Sequence, residues 1–295
     1  MLGRLIIVSN RVAVPSRAPD SQAGGLTVAL RALLKRNAGT WFGWSGAVST
    51  KAHVATTSVR HGGISYVVTD LLEPDYQEYY NGFANRVLWP ILHYRLNLAE
   101  YSRRDLSGYL RVNAQFAEQL QALLEPEDVI WVHDYHLIPL AQMLRERGSR
   151  NRIGFFLHVP LPPPEILTAL PNHERLISQL TAYDLVGFQT EGDADNFARY
   201  LESECRLPRQ AKFTYRTPTR TVRIGVFPVG IEAAEFNRAA RRAVRSPLVR
   251  TVVESLSGRA MVIGVDRLDY SKGLAQRLDA FERFLALHPA WRGKV

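Results

Sequence analysis

The sequence predicts an α/β protein built on a parallel sheet. Three observations carry this. From residue 128 onward, short apolar runs alternate with segments of helical periodicity, a βαβα order. Several runs, such as Leu5-Ile-Ile-Val8, are apolar throughout, as strands covered on both faces are. Polar or glycine-bearing loops then lead directly from a strand into a helix, the arrangement that receives anions in such folds.

The elements follow in order. Arg4–Ser9 reads as a buried strand that Asn10 ends, and a polar loop runs from Arg11 to Gln22. Gly24 and Gly25 precede a helix whose apolar positions are 26, 29, 30, 33 and 34. Residues 41–68 read as short strands, with Thr56–Val59 and Ile64–Val68 flanking the turn His61-Gly62-Gly63. Residues 74–95 are aromatic-rich and helical in pieces. Asp105–Leu124 is a longer helix that Glu125-Pro126-Glu127 ends. Strands at 128–133, 152–157 and 184–188 alternate with helices at 137–147, 173–181 and 191–203. After Val222–Val229 the chain becomes helical and basic through 258. A second buried strand, Ala260–Val265, the loop Asp266–Gly273 and a helix, Leu274–Leu287, open a second sheet. The expected domains are therefore 1–229 and 230–295. A single βα unit leaves its strand edges unpaired, so the second domain is expected to be incomplete.

At 295 residues the chain has room for two domains, and 46% hydrophobic with 22% charged residues excludes global disorder. Cys205 is the single cysteine, which excludes an intramolecular disulfide and a Cys-based zinc site. No apolar run approaches the roughly 18 residues of a membrane span, and the start lacks the build of a signal peptide. A cytoplasmic setting is expected. Net charge is +9, concentrated in Arg199–Arg259, where 13 basic side chains face 5 acidic ones. Aromatics do not interleave with those arginines, so the stretch reads as a solvated surface, with neither nucleic acid nor membrane as partner.

Four stretches carry chemistry. His133-Asp134-Tyr135-His136 and Phe156-Leu157-His158 fall at the C-terminal ends of successive strands, the edge where open parallel sheets bind ligands. Asp134 suits either a helix cap or a site there. The histidines lack a regular metal-ligand spacing, so no metal is expected. Asp266-Arg267-Leu-Asp269-Tyr-Ser-Lys272-Gly273 places two cations before a helix, which suits a nucleotide diphosphate, while pairing of Arg267 and Lys272 with Asp266 and Asp269 is the surface alternative. Trp41-Phe-Gly-Trp44 and Tyr79-Tyr80…Trp89-Pro90 supply aromatic faces on which sugars pack, although core packing accounts equally for Trp41 and Tyr79.

Together with Ser9-Asn10-Arg11 and Gly24-Gly25-Leu26, these motifs occur in the order found in one family. The chain resembles the trehalose-6-phosphate synthases, retaining glycosyltransferases of the GT-B architecture, which pairs two Rossmann-like domains. The resemblance implies glucose transfer from UDP-glucose to glucose-6-phosphate without a cofactor. It places Arg11, Tyr80 and Trp89 on the acceptor, with Arg11 on its phosphate. Trp44 and Asp134 would meet the acceptor sugar at the reaction centre, His136 would join the substrate-binding set, and His158 would meet the donor glucose. Gly24 and Gly25 would let the backbone approach the donor phosphates, which Arg267 and Lys272 would grip.

Family members continue well beyond residue 295, so this chain is expected to lack part of the donor side and to be inactive alone. Three alternatives are set against this reading: a related transferase with another phosphorylated acceptor, such as glycerol-3-phosphate; a sugar-phosphate-binding regulator without turnover; and a nucleic-acid binder acting through 199–259. A homo-oligomeric state stays open.

Overall fold

A computed structural model describes residues 3–15, Leu30, 39–51 and 55–295 of the chain. Contacts divide the chain into two compact units, Met1–Val229 and Gly230–Val295. The predicted 26–35 helix, with Gly24 and Gly25, lies outside the described residues except for Leu30, which is helical and buried.

The first unit is organised by one sheet. Its strands are β1 (Leu5–Arg11), β2 (Gly39–Ser49), β3 (Thr57–His61), β4 (Ile64–Leu72), β5 (Val129–His133), β6 (Arg152–Phe156), β7 (Leu185–Phe188), β8 (Arg209–Ala211), β9 (Thr214–Arg216) and β10 (Thr221–Val226). Their order is β3-β4-β2-β1-β5-β6-β7-β10-β9-β8. The run from β4 to β10 is parallel, and β3, β9 and β8 pair antiparallel at the two ends. The α/β parallel architecture is the one the alternating pattern predicted. The β8–β9 hairpin was not foreseen, because strands of three residues are too short to show a period.

β1 shows why its residues are uniformly apolar. Ile6 and Val8 enter a core with Phe42, Ile130 and Val132, while Ile7 packs on the other face with Trp41, Tyr66 and Leu30. Alternate side chains serve opposite faces, and both faces are covered. The connection then fixes where a ligand can sit. From β1 the chain builds outward through β2 and β4, then returns to β1's other side as β5. This is a topological switch point, and the crevice of such sheets opens there, beyond the C-terminal strand ends.

Two helical segments cover one face near that edge. A π-helix over Tyr76–Leu88 continues directly into a short α-helix, Trp89–Leu92. The longer α1 (Arg103–Gln121) is capped by Ser102, whose hydroxyl accepts the Asp105 N–H. Tyr109, Val112, Phe116 and Leu120 form its buried stripe. The π-helix and α1 approach closely at Gly108, where a Cβ would lie 2.3 Å from the Glu78 side chain. Arg111 reaches back to bond Asp75 at 2.5 Å and Glu78 at 2.8 Å, and Arg104 bonds Glu78 at 2.6 Å. Burial raises the Glu78 carboxyl, but bonds from Arg111 and Arg104 outweigh it and hold the group below its ordinary range.

Two predicted helices shorten. The one expected at 137–147 begins as a 3-10 turn, Tyr135–Leu137, and becomes α2 (Leu140–Glu146) after Pro139. The one at 173–181 divides into His173–Ile177 and a 3-10 turn, Ser178–Ala182. α3 (Glu191–Ser203) has the predicted bounds, with Thr190 capping Asp193.

The second unit contains α4 (Ala233–Ala243), α5 (Pro247–Leu256) and α6 (Leu274–Leu287). It corrects one expectation: Ala260–Val265 is not a buried strand. It pairs with no strand among the described residues, and Val262, Ile263 and Val265 are 70%, 74% and 84% exposed. Its backbone bond from Ala260 N–H goes to Lys294 O. An apolar run becomes a strand only where a neighbouring strand takes its hydrogen bonds.

Candidate active site

The C-terminal edge at the switch point gathers side chains from five elements. Arg11 ends β1 and pairs in register with Trp44 of β2. A local irregularity after Ser9 in that pairing precedes Arg11, and the Val12 N–H bonds Trp44 O at 2.9 Å. The Arg11 guanidinium is exposed and lies 5.9 Å from the Trp44 ring centroid, a cation–π distance. Gly46, at φ +93°, lets β2 pass beneath it, because a Cβ there would lie 2.6 Å from Arg11 Nε.

From Trp44 a continuous series of ring contacts runs past the strand ends, with Tyr76, Tyr80 and Trp89 its partly exposed members. Trp44 lies 5.4 Å from Tyr80 and 5.6 Å from Tyr76. Tyr76 and Tyr80 stack at 5.7 Å with 20° between planes, and Tyr80 stacks on His136 at 5.9 Å and 15°. His136 adjoins Tyr135 at 4.1 Å, and Tyr135 adjoins Trp89 at 5.8 Å. The π-helix supplies Tyr76 and Tyr80, and the turn after β5 supplies Tyr135 and His136. Trp44, Tyr80, His136 and Trp89, far apart in sequence, thus form one wall. Tyr76 was not singled out from the sequence; its spacing of four from Tyr80 on a helix is the signal that could have found it.

Trp44, Tyr135 and His136 are themselves buried, and Trp41 and Tyr79 lie wholly within the core. Both are fully buried, Trp41 donating to Ser9 Oγ at 2.8 Å and Tyr79 to Asn10 Oδ1 at 2.8 Å. The Asn10 carboxamide thereby ties the end of β1 to the π-helix.

Asp134 follows β5 with φ 76° and ψ 164°, a region close to glycine-only. Its side chain makes no helix cap. Instead Oδ1 accepts the His158 N–H at 3.3 Å, joining the turns after β5 and β6. Burial pushes the Asp134 carboxyl up to about 6, against the opposing effect of backbone bonds from His158 and Tyr135. Of its two sequence readings, cap and site, the cap is thus excluded. A strained, reluctantly ionised carboxyl at the sheet edge is what a functional position preserves.

The histidines around it are neutral at pH 7. Burial lowers His136 to about 3 and His158 to about 4, and burial with the His158 neighbour lowers His133 to about 3. His133 Nδ1 lies 3.0 Å from His158 Nε2. Among the described residues no three His, Cys, Asp or Glu side chains are grouped to hold a metal ion. No described helix is long and apolar enough to cross a membrane.

Arg267 and Lys272 lie in the second unit. Lys272 ends a 3-10 turn, Tyr270–Lys272, and Gly273 at φ 61° leads into α6. Arg267 pairs with Asp269 at 3.5 Å, and Asp266 pairs with Arg277 at 2.5 Å. The cations thus precede a helix N-terminus, as the sequence suggested, with Arg267 held in the surface pairing that was the alternative. Gly24 and Gly25 lie outside the described residues.

A parallel sheet whose switch point carries a guanidinium, a series of aromatic rings and a buried carboxyl defines an α/β protein with its polar side chains gathered at the C-terminal strand ends. The chain belongs to Glycosyltransferase family 20, whose sequence pattern matches residues 4–295. It is 50% identical to the trehalose-6-phosphate synthase of Sinorhizobium fredii, covering 100% of this chain and 64% of that protein. The crystal structure of an alpha,alpha-trehalose-phosphate synthase (UDP-forming) from Burkholderia vietnamiensis is 43% identical, with TM-score 0.95 over 100% of this chain and 63% of its own. A UDP-forming enzyme from Burkholderia xenovorans, solved in complex with glucose-6-phosphate, is 45% identical with TM-score 0.93, covering 99% of this chain and 64% of its own. The chain therefore spans a little under two thirds of the relatives it matches.

Proposed function

We propose that the protein is a retaining glycosyltransferase that moves glucose from UDP-glucose to glucose-6-phosphate, giving trehalose-6-phosphate and UDP. The observation that carries the acceptor side is the ring series from Trp44 through Tyr80 and His136 to Trp89, with Arg11 at one end. Its partly exposed members Tyr80 and Trp89 offer faces for sugar C–H groups, and the exposed Arg11 offers a guanidinium fork for a phosphate. The Burkholderia xenovorans relative, solved with glucose-6-phosphate and named as UDP-forming, supports the acceptor and the nucleotide product.

In the reaction the bond from the donor's C1 to the phosphate oxygen breaks. A bond from C1 to the acceptor's hydroxyl oxygen forms on the same face, and the hydroxyl proton passes to the departing phosphate. This route needs no carboxylate nucleophile. The diphosphate gains negative charge as it leaves, and Arg267 and Lys272 would stabilise that charge in the transition state. Arg11, Trp44, Tyr80, His136 and Trp89 hold the acceptor, and Asp134 and His158 orient the two sugars at the reacting carbon.

Product analysis tests this reading, using the protein expressed from its intact gene with UDP-glucose and either glucose-6-phosphate or glycerol-3-phosphate. Trehalose-6-phosphate from the first mixture alone is expected. A product only with glycerol-3-phosphate, or acceptor binding without turnover, would replace it with one of the alternatives.

A further inference from the structure

We propose that His133 is a positioning residue that fixes the tautomer of His158, so that His158 presents its Nδ1–H as a hydrogen-bond donor to a hydroxyl of the donor sugar. The sugar in that statement rests on the function proposed above; the tautomer does not. His133 is the last residue of β5 and is 1% exposed, its ring 4.4 Å from Trp131. His158 follows β6, its backbone N–H held by Asp134 and its ring edge-on to Phe156 at 4.7 Å. Between them His133 Nδ1 and His158 Nε2 are 3.0 Å apart, so one nitrogen donates and the other accepts.

The remaining nitrogen of His133 decides the direction. Its Nε2 is buried with no hydrogen-bond partner among the described residues. If His133 carried its hydrogen there, the result would be a buried N–H with no acceptor, and orphaned buried donors are rarer than under-satisfied acceptors. The hydrogen therefore sits on Nδ1 and is donated to His158 Nε2. Because both rings are neutral at pH 7, His158 carries its single hydrogen on Nδ1. A histidine whose Nε2 lone pair is already engaged and whose Nδ1 holds a hydrogen can donate to a substrate but cannot act as its base. That agrees with a reaction in which the leaving phosphate takes the proton.

The test is imidazole ¹⁵N NMR on the histidine-labelled protein expressed from its intact gene, with His133→Phe and His133→Asn, followed by calorimetry with UDP-glucose. The expected wild-type spectrum has His158 as one Nδ1–H tautomer. His133→Phe abolishes that preference, whereas His133→Asn, whose amide N–H falls near the lost Nδ1, retains it. UDP-glucose affinity falls about 2- to 10-fold in His133→Phe, the worth of one neutral hydrogen bond, and by less than about 2-fold in His133→Asn. A hydrogen on His158 Nε2 in the wild type, or an unchanged tautomer in His133→Phe, would overturn the proposal. Equal losses in the two variants would do the same. If the tautomer is as expected but the wild type does not bind UDP-glucose, the assignment of a sugar hydroxyl fails while the histidine pair stands. If His133→Phe does not fold, the wild-type spectrum and His133→Asn still decide.

Discussion

The Asp134 carboxylate accepts the backbone N–H of His158 at 3.3 Å, linking the ends of two neighbouring parallel strands at the mouth of the crevice. The bond holds Asp134 in a backbone conformation that L-residues avoid and in surroundings that disfavour its charge. Both features reduce stability, which on the proposed function is the cost of presenting the carboxyl to a ligand.

Asp134→Asn is accordingly expected to stabilise the protein at pH 7 by about 1–3 kcal/mol, since asparagine carries no charge. The sign follows from a folded pKa near 6, above the ordinary value of 3.8. The folded state holds its proton more tightly, so the penalty is full above pH 6 and disappears as pH falls below about 4. Thermal melts of both proteins from pH 4 to 8 check this. On the proposed function, the same variant loses turnover.

Tyr80 is partly exposed between Tyr76 and His136, so its removal should affect binding more than folding. Tyr80→Ala is expected to weaken glucose-6-phosphate binding by about 10- to 100-fold, while Tyr80→Phe keeps the stack and most of the affinity. Calorimetry beside a melting curve separates the two effects.

Arg111 answers two buried carboxylates, Asp75 and Glu78, on the segment that presents Tyr76 and Tyr80. Arg111→Met leaves both without that partner. Because Arg111 is itself half exposed, the expected loss is about 1–3 kcal/mol, below that of a fully buried pair. Urea unfolding measures it.

His133, His136 and His158 are neutral when folded and charge when unfolded, so the unfolded state binds more protons between about pH 4 and 6.5. Asp134 acts in the opposite sense below pH 6. Near pH 5 unfolding should therefore take up about two protons net, and stability should fall by roughly 2–3 kcal/mol per pH unit on acidification. Denaturation midpoints across that range test the slope.

The fold was legible because its signals are local. Leu5–Val8 reads as a covered strand, and Thr190 and Asp193 mark the start of α3. The failure at Ala260–Val265 came from a property no local signal carries, the presence of a partner strand. The site was partly legible through residue type and, for Arg11, through the family resemblance alone. Arg11, Trp44, Tyr80, Asp134 and His158 were named from the sequence, and the structure gathers them at one edge. Tyr76 was not, and His133 was named only within its motif with no role of its own, because both roles arise from contacts across elements: a stack set by the π-helix, and a hydrogen bond between β5 and the turn after β6.

The central claim is that the acceptor half of the site is already assembled within the first unit. Calorimetric titration of the 295-residue chain with glucose-6-phosphate, glucose and inorganic phosphate tests it most directly, with Arg11→Gln as the variant. The account predicts saturable binding of glucose-6-phosphate, much weaker binding of glucose, and a loss of about 10- to 100-fold in Arg11→Gln, the worth of a charge-assisted phosphate contact. Equal affinity for glucose and glucose-6-phosphate, or full affinity in Arg11→Gln, would contradict it.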